Sequence, residues 1–148
     1  MASFTIVEHF STTPEKAFLA LSDFSGASAF HQSIVKTIIR TKGPLRVGTK
    51  ISETRKMFGK QETEELTITQ FDPPRLIALE AFNHGAHYQF SFEIVPDDNG
   101  CEVTHTFIGT PQTAMAKIFS ILFSFMNGSM AKMLKKDLKE TKKHAESL

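Results

Sequence analysis

From residue 34 onward, apolar and polar residues alternate at every second position, the spacing that sends successive side chains to opposite faces of a strand. The alternation predicts strands over 34–41, 49–58, 61–71, 76–83, 87–95 and 102–108. Phe4, Ile6 and Phe10, interleaved with Thr5, Val7 and His9, predict one more at the start of the chain. Gly43-Pro44, Gly59-Lys60, Asp72-Pro73-Pro74-Arg75, His84-Gly85 and Asp97-Asp98-Asn99-Gly100 separate them with turn chemistry, and connections this short join antiparallel neighbours. Thr12-Thr13-Pro14-Glu15 is a helix start, with a hydroxyl cap, proline in the first turn and a capping-box glutamate. That helix carries Ala17, Phe18 and Leu21 and fails around Asp23 to Gly26, and a second short helix is predicted over 27–32.

The last predicted element is a long helix from near Pro111 to the end of the chain. Met115, Ile118, Phe119, Leu122, Phe125, Met126, Met130 and Met133 recur at the three- and four-residue steps of one helix face, and Ile121, Phe123 and Leu134 widen it. Lys117 and Lys132 bracket an apolar segment too short to span a bilayer, so the expected wrapper is the sheet itself. The order of strand, two short helices, six strands and long helix is α+β. It predicts a curved antiparallel seven-stranded sheet gripping the terminal helix, with residues 1–148 as one domain.

A register follows if Gly59-Lys60 is a two-residue hairpin loop with glycine first: Phe58 then pairs with Gln61, and Arg55 faces Glu64. Four-residue loops at the next three turns put Leu79 opposite Ile68, Phe92 opposite Leu79, and His105 opposite Phe92. One face of the sheet then reads Ile51, Ile68, Leu79, Phe92 and His105 in its deepest row and Glu53, Leu66, Ala81, Phe90 and Phe107 in the next. Arg55, Glu64, Asn83, Tyr88 and Gly109 form the row nearest the hairpin tips. Buried charge without partners is costly, so a face that ends in Glu53, Arg55 and Glu64 fits a ligand-accessible hollow better than a closed core.

Composition narrows the picture. A net charge of +1 supplies no global attraction to nucleic acid, and none is expected as a partner. A single cysteine, Cys101, excludes an internal disulfide framework, and the start lacks the features of a signal peptide; both fit a cytoplasmic protein. His84 and His87 have no third ligand nearby in sequence, so no metal site is expected, and no cofactor motif is present.

The chain resembles the START-like, or polyketide cyclase/dehydrase and lipid-transport, superfamily with the helix-grip fold. The resemblance rests on Phe10-Ser-Thr-Thr-Pro-Glu-Lys-Ala-Phe18 with Leu21-Ser-Asp23, Gly48-Thr49, Phe71-Asp-Pro-Pro74, Gly100-Cys-Glu-Val-Thr104 and the terminal helix, and covers nearly the whole chain. Many members carry tryptophan near the ends of the first two helices, where this chain has Phe18 and Phe30-His31 and no tryptophan at all. The resemblance implies a cavity for lipids, sterols, polyketides or other apolar molecules and carries over no catalytic motif.

The candidate ligand-binding residues are Glu53, Arg55, Glu64, Leu66, Asn83, Tyr88, Phe90, His105, Phe107, Met115, Phe119 and Leu122. Arg55 and Glu64 either clamp a ligand's carboxylate or phosphate or form a cross-strand ion pair. Glu53 and His105 are the candidate acid–base groups; otherwise Glu53 pairs with Arg55 and His105 is a hydrogen-bonded core residue. Tyr88 offers a hydroxyl or only a wall. Two functions compete: binding or transport of a hydrophobic or amphipathic molecule, and a cyclase, dehydratase or hydrolase acting on one in the same cavity. An arginine above an apolar floor further suggests a preference for acidic head groups. The expected assembly is a monomer or homodimer.

Overall fold

The computed structural model describes residues 2–57, 59–122 and 127–148. Seven strands, β1 (Ala2–Phe10), β2 (Ile34–Ile39), β3 (Lys50–Met57), β4 (Lys60–Asp72), β5 (Leu76–Asn83), β6 (Ala86–Asp97) and β7 (Gly100–Pro111), form one sheet. It runs β1-β7-β6-β5-β4-β3-β2, with all neighbours antiparallel. Consecutive strands β2 to β7 are joined by turns, whereas β1 and β2 lie at opposite edges. The chain crosses between those edges through α1 (Pro14–Leu21) and α2 (Ala27–Phe30). Thr13 caps α1, its hydroxyl accepting from the Lys16 amide at 3.2 Å. Glu15 therefore falls one position short of the capping-box site and acts on the helix dipole from the first turn.

The expected continuous terminal helix is described as two, α3 (Ala114–Leu122) and α4 (Asn127–Glu146). The gripped element is α4, and it is not gripped by the most apolar stretch of sequence. Leu134, Leu138, Thr141 and Ala145 are its buried stripe, and Met130 and Met133 pack partly buried against the core. These positions recur at helical spacing among lysines that cover the outer face. By contrast Met115 and Ile118 of α3 are 68 % and 59 % exposed, so these two members of the anticipated apolar face are not inside the sheet.

Along its length α4 is tied down by polar contacts. Lys136 Nζ donates to Gln32 Oε1 at 2.6 Å, His144 stacks on Phe30 with ring centroids 4.0 Å apart, and Glu146 accepts from the Ser11 amide at 2.7 Å. That amide holds the Glu146 carboxyl below the usual carboxylate range. Phe10, Ile51, Ile68, Ile77, Ile94, Val103 and Leu138 are fully buried and form the centre of the core.

The strands are those the alternation predicts, but the pairing differs in two hairpins. β3 and β4 close at Met57 with Lys60, just after Gly59 with φ 80°, so Arg55 faces Glu62 and Glu53 faces Glu64. β5 and β6 close at Asn83 with Ala86 around His84 (φ 51°) and Gly85 (φ 74°), both left-handed, as a two-residue hairpin of this type requires. Leu79 therefore faces Phe90, not Phe92, while Ile68 with Leu79 and Phe92 with His105 pair as expected. Each error is a slip of two residues, which preserves the face of every side chain. The corrected rows run Glu53–Glu64, then Ile51–Leu66, then Leu79–Phe90–Phe107, then Ile77–Phe92–His105. The register of β4 against β5 shifts between Ile68 and Gln70, as at a β-bulge.

Candidate functional site

The concave face, α1, α2 and α4 enclose a cavity of about 260 Å³. Ile34, Leu66, Leu79, Phe90, Phe92 and Phe107 line it from the sheet, Phe24 and Phe30 from the connection, and Met130, Met133, Leu134 and Leu138 from α4. Phe107 is its aromatic centre, 5.3 Å from Phe90 and 5.9 Å from Tyr88 by ring centroids. The wall at this end is thin for a reason: a Cβ on Gly109 would lie 3.3 Å from the Tyr88 ring, so glycine lets that ring lie flat against β7.

Glu53, Arg55, Glu64, Leu66, Asn83, Tyr88, Phe90, His105 and Phe107 all line this cavity, as parity on the sheet requires. Met115 does not; it lies on the exposed side of α3, because the chain turns out of the sheet after Pro111 before any helix begins. The side chains of Phe119 and Leu122 lie outside the described residues. Sequence reasoning missed Phe24, His31, Asp137 and Thr141, which come from the connection and from α4. For Asp137 the signal was available: it sits between Leu134 and Leu138 on the stripe of α4 that faces inward.

The polar end is organised by Arg55. Its Nε donates to Glu53 Oε1 at 3.1 Å, and its Nη1 donates to Asp137 Oδ2 at 2.6 Å and to Ser33 Oγ at 2.9 Å. All three charged side chains are less than a fifth exposed. Burial alone would lower the Arg55 pKa, but Glu53 and Asp137 outweigh it and raise the value, so the guanidinium stays charged. Arg55 is thus a strut between β3 and α4, and not the cross-strand partner of Glu64. Two carboxylates already share its charge through Nε and Nη1, which weakens the basis for reading an acidic head group there.

Glu64 lacks such a partner. Burial and the facing Glu53 push its carboxyl pKa up, with Asn83 and the more distant Arg55 pulling the other way. Tyr88 is also raised, by burial and by the charges of Glu64 and Glu62.

At the opposite end His105 is 3 % exposed and stacks on Phe92, ring centroids 4.2 Å apart. Its Nδ1 lies 3.0 Å from the Ser91 carbonyl, which can only accept, so Nδ1 carries the proton. Nε2 is then a lone-pair acceptor, and the ring's hydrogen bond among the described residues is the one at Nδ1. Burial lowers the His105 pKa to about 4, against the opposing effect of the Ser91 carbonyl, so the ring is neutral near pH 7.

His31, Asp137 and Glu140 bring three potential ligand atoms within 4.8 Å of one another. They are hydrogen-bonding partners instead: Glu140 lies 3.4 Å from His31 Nδ1, Thr141 lies 3.2 Å from His31 Nε2, and Asp137 holds Arg55. A cation there would face the guanidinium at close range.

The chain matches the family model described as polyketide cyclase / dehydrase and lipid transport over residues 1–146. No curated protein matches it significantly. Among solved structures it is similar to Ara h 8.0201, at 14 % identity over 99 % of both chains with a TM-score of 0.78. It is likewise similar to TTHA0849 from Thermus thermophilus, at 14 % identity over 99 % of this chain and 98 % of that one, TM-score 0.77. The di-domain ARO/CYC StfQ from the steffimycin biosynthetic pathway aligns at 11 % identity with a TM-score of 0.81, over 98 % of this chain and 51 % of StfQ. Identities this low carry the fold, which is the helix grip. No helix among the described residues is long and apolar enough to cross a membrane.

Proposed function

The chain belongs to the polyketide cyclase/dehydrase and lipid transport family, and from that premise we propose that it binds a hydrophobic or amphipathic small molecule in the cavity between the sheet and α4. A lipid, a polyketide or an aromatic compound is the class of ligand, residues 1–148 act as one binding domain, and transport is the accompanying role. The observation that carries the reading is the 260 Å³ cavity itself, lined mostly by apolar side chains with a few charged and polar groups among them. A closed core would have been filled. Binding is favoured over a reaction because the two candidate acid–base groups are badly poised. His105, at about 4, is a weak base near neutrality, and Glu53 is engaged by Arg55. The single buried thiol fits a reducing compartment such as the cytoplasm.

Native mass spectrometry of freshly purified protein should reveal a co-purified molecule and whether the protein is a monomer or homodimer. A titration with a neutral apolar dye, N-phenylnaphthylamine, gives the second test. Met133→Trp fills the cavity from α4 and should weaken dye binding about tenfold or more, the scale of one large side chain's worth of lost contact. A folded variant with unchanged affinity would place the dye, and the ligand site, elsewhere.

A further inference from the structure

Acceptors with free capacity stand at both ends of this cavity. At the mouth Glu53 and Glu64 face each other across β3 and β4, and facing like charges destabilise a sheet. The fixed charges lining the cavity are the carboxylates of Asp23, Glu53, Glu62, Glu64 and Asp137 against the single guanidinium of Arg55. That guanidinium bridges Glu53 and Asp137, and no salt bridge joins Glu64 to a cation among the described residues. At the inner end stands the Nε2 lone pair of His105, a residue 3 % exposed that lines the cavity and whose ring hydrogen bond among the described residues is the one at Nδ1. An acceptor that opens on the cavity is available to a donor, and a part-buried carboxylate beside another is costly. One kind of guest serves both.

We propose, building on the cavity reading above, that the ligand is an apolar molecule carrying a protonated amine, held at the mouth by Glu64 and Glu53, and a hydroxyl or N–H donor at its far end, held by His105 Nε2. Three steps of two residues separate the Glu64 row from the His105 row, roughly 20 Å along the strands at about 3.3 Å per residue, shortened by the curvature of the sheet. A body about a dozen carbons long bridges that span. The raised carboxyl of Glu64 fits this reading, since an ammonium group restores the ionised form that Glu53 and burial oppose.

Calorimetric titration of the full chain near neutral pH with dodecylamine, dodecanol, dodecanoate and ω-hydroxydodecylamine tests it. Dodecylamine should bind about tenfold or more tightly than dodecanoate and more tightly than dodecanol, and the ω-hydroxyl should add several-fold to the amine. Glu64→Gln should erase the advantage of the amine over dodecanol, and His105→Leu should erase the gain from the ω-hydroxyl. If dodecanoate matches or beats dodecylamine, or if the folded Glu64→Gln protein keeps the amine advantage, this proposal is overturned while the cavity reading stands. If none of the four binds, the cavity reading itself falls. The ranking in the unmodified protein decides even where a variant fails to fold.

Discussion

Replacing Arg55 with methionine should destabilise the protein by about 3–5 kcal/mol, the usual cost of removing one partner from a buried charge network. The substitution strands Glu53 and Asp137, both less than a fifth exposed, and leaves Ser33 Oγ without its donor. It also cuts the strut between β3 and α4, so the loss falls on the contact that closes the grip. A chain of this size loses roughly 2–4 °C in Tm per kcal/mol, which makes the shift on the order of 10 °C by calorimetry. The mechanism is checked by compensation. Removing the stranded charges as well, with Glu53→Gln and Asp137→Asn in the same chain, should recover most of the loss, because neutral groups of the same shape need no counter-ion. A loss under about 1 kcal/mol for Arg55→Met alone would instead assign the trio to the solvated ion pairs that contribute little.

This strut marks the boundary of what the chain reveals as a string of residues. That Arg55, Glu53 and Glu64 share one face was legible, because side-chain direction depends only on parity, and a hairpin slip of two residues conserves parity. Which of them touch was not, because a pairing is set by the turn. His84 adopts φ 51°, a conformation that histidine enters more readily than most residues, but its presence does not fix which two residues form the loop. The gripped helix was legible as a C-terminal helix, and Met130, Met133 and Leu134 of its anticipated face do meet the core. Its inward stripe continues further than apolar content suggests, through Leu138, Thr141 and Ala145 inside a lysine-rich segment. A stripe that narrow suffices because the sheet meets the helix along one line, and the lysine stems can lie along the flanks. Asp137 enters the site by that route, and with it a second carboxylate on Arg55.

The second large effect is on acid stability, and it originates at His105. Its pKa is about 4 in the folded protein and about 6.5 when the chain is unfolded, so between those values the unfolded state binds the proton and the folded state does not. The contribution is therefore fully present above about pH 6.5 and is lost progressively as the pH falls through about 4. The shift converts to roughly 3 kcal/mol at about 1.4 kcal/mol per pH unit. Glu64 works in the opposite sense: its raised folded pKa means the folded state takes up a proton more readily, so acid relieves part of its burden. Comparing whole stability curves would mix the two, but a difference between variants separates them. His105→Gln keeps a side-chain N–H that can donate to the Ser91 carbonyl and has nothing to titrate. Urea unfolding at about pH 7 and about pH 4 should show the wild-type protein losing roughly 3 kcal/mol more than this variant, and the His105 ring proton should show no NMR titration near 6.5. Parallel stability curves for the two proteins would mean that the imidazole charges without penalty in the folded state. Its Nε2 would then be a donor as often as an acceptor in mild acid, and the inner end of the cavity would have no fixed preference. A low folded value instead holds Nε2 as an acceptor throughout the neutral range, which is the condition under which it can recognise a hydroxyl or N–H.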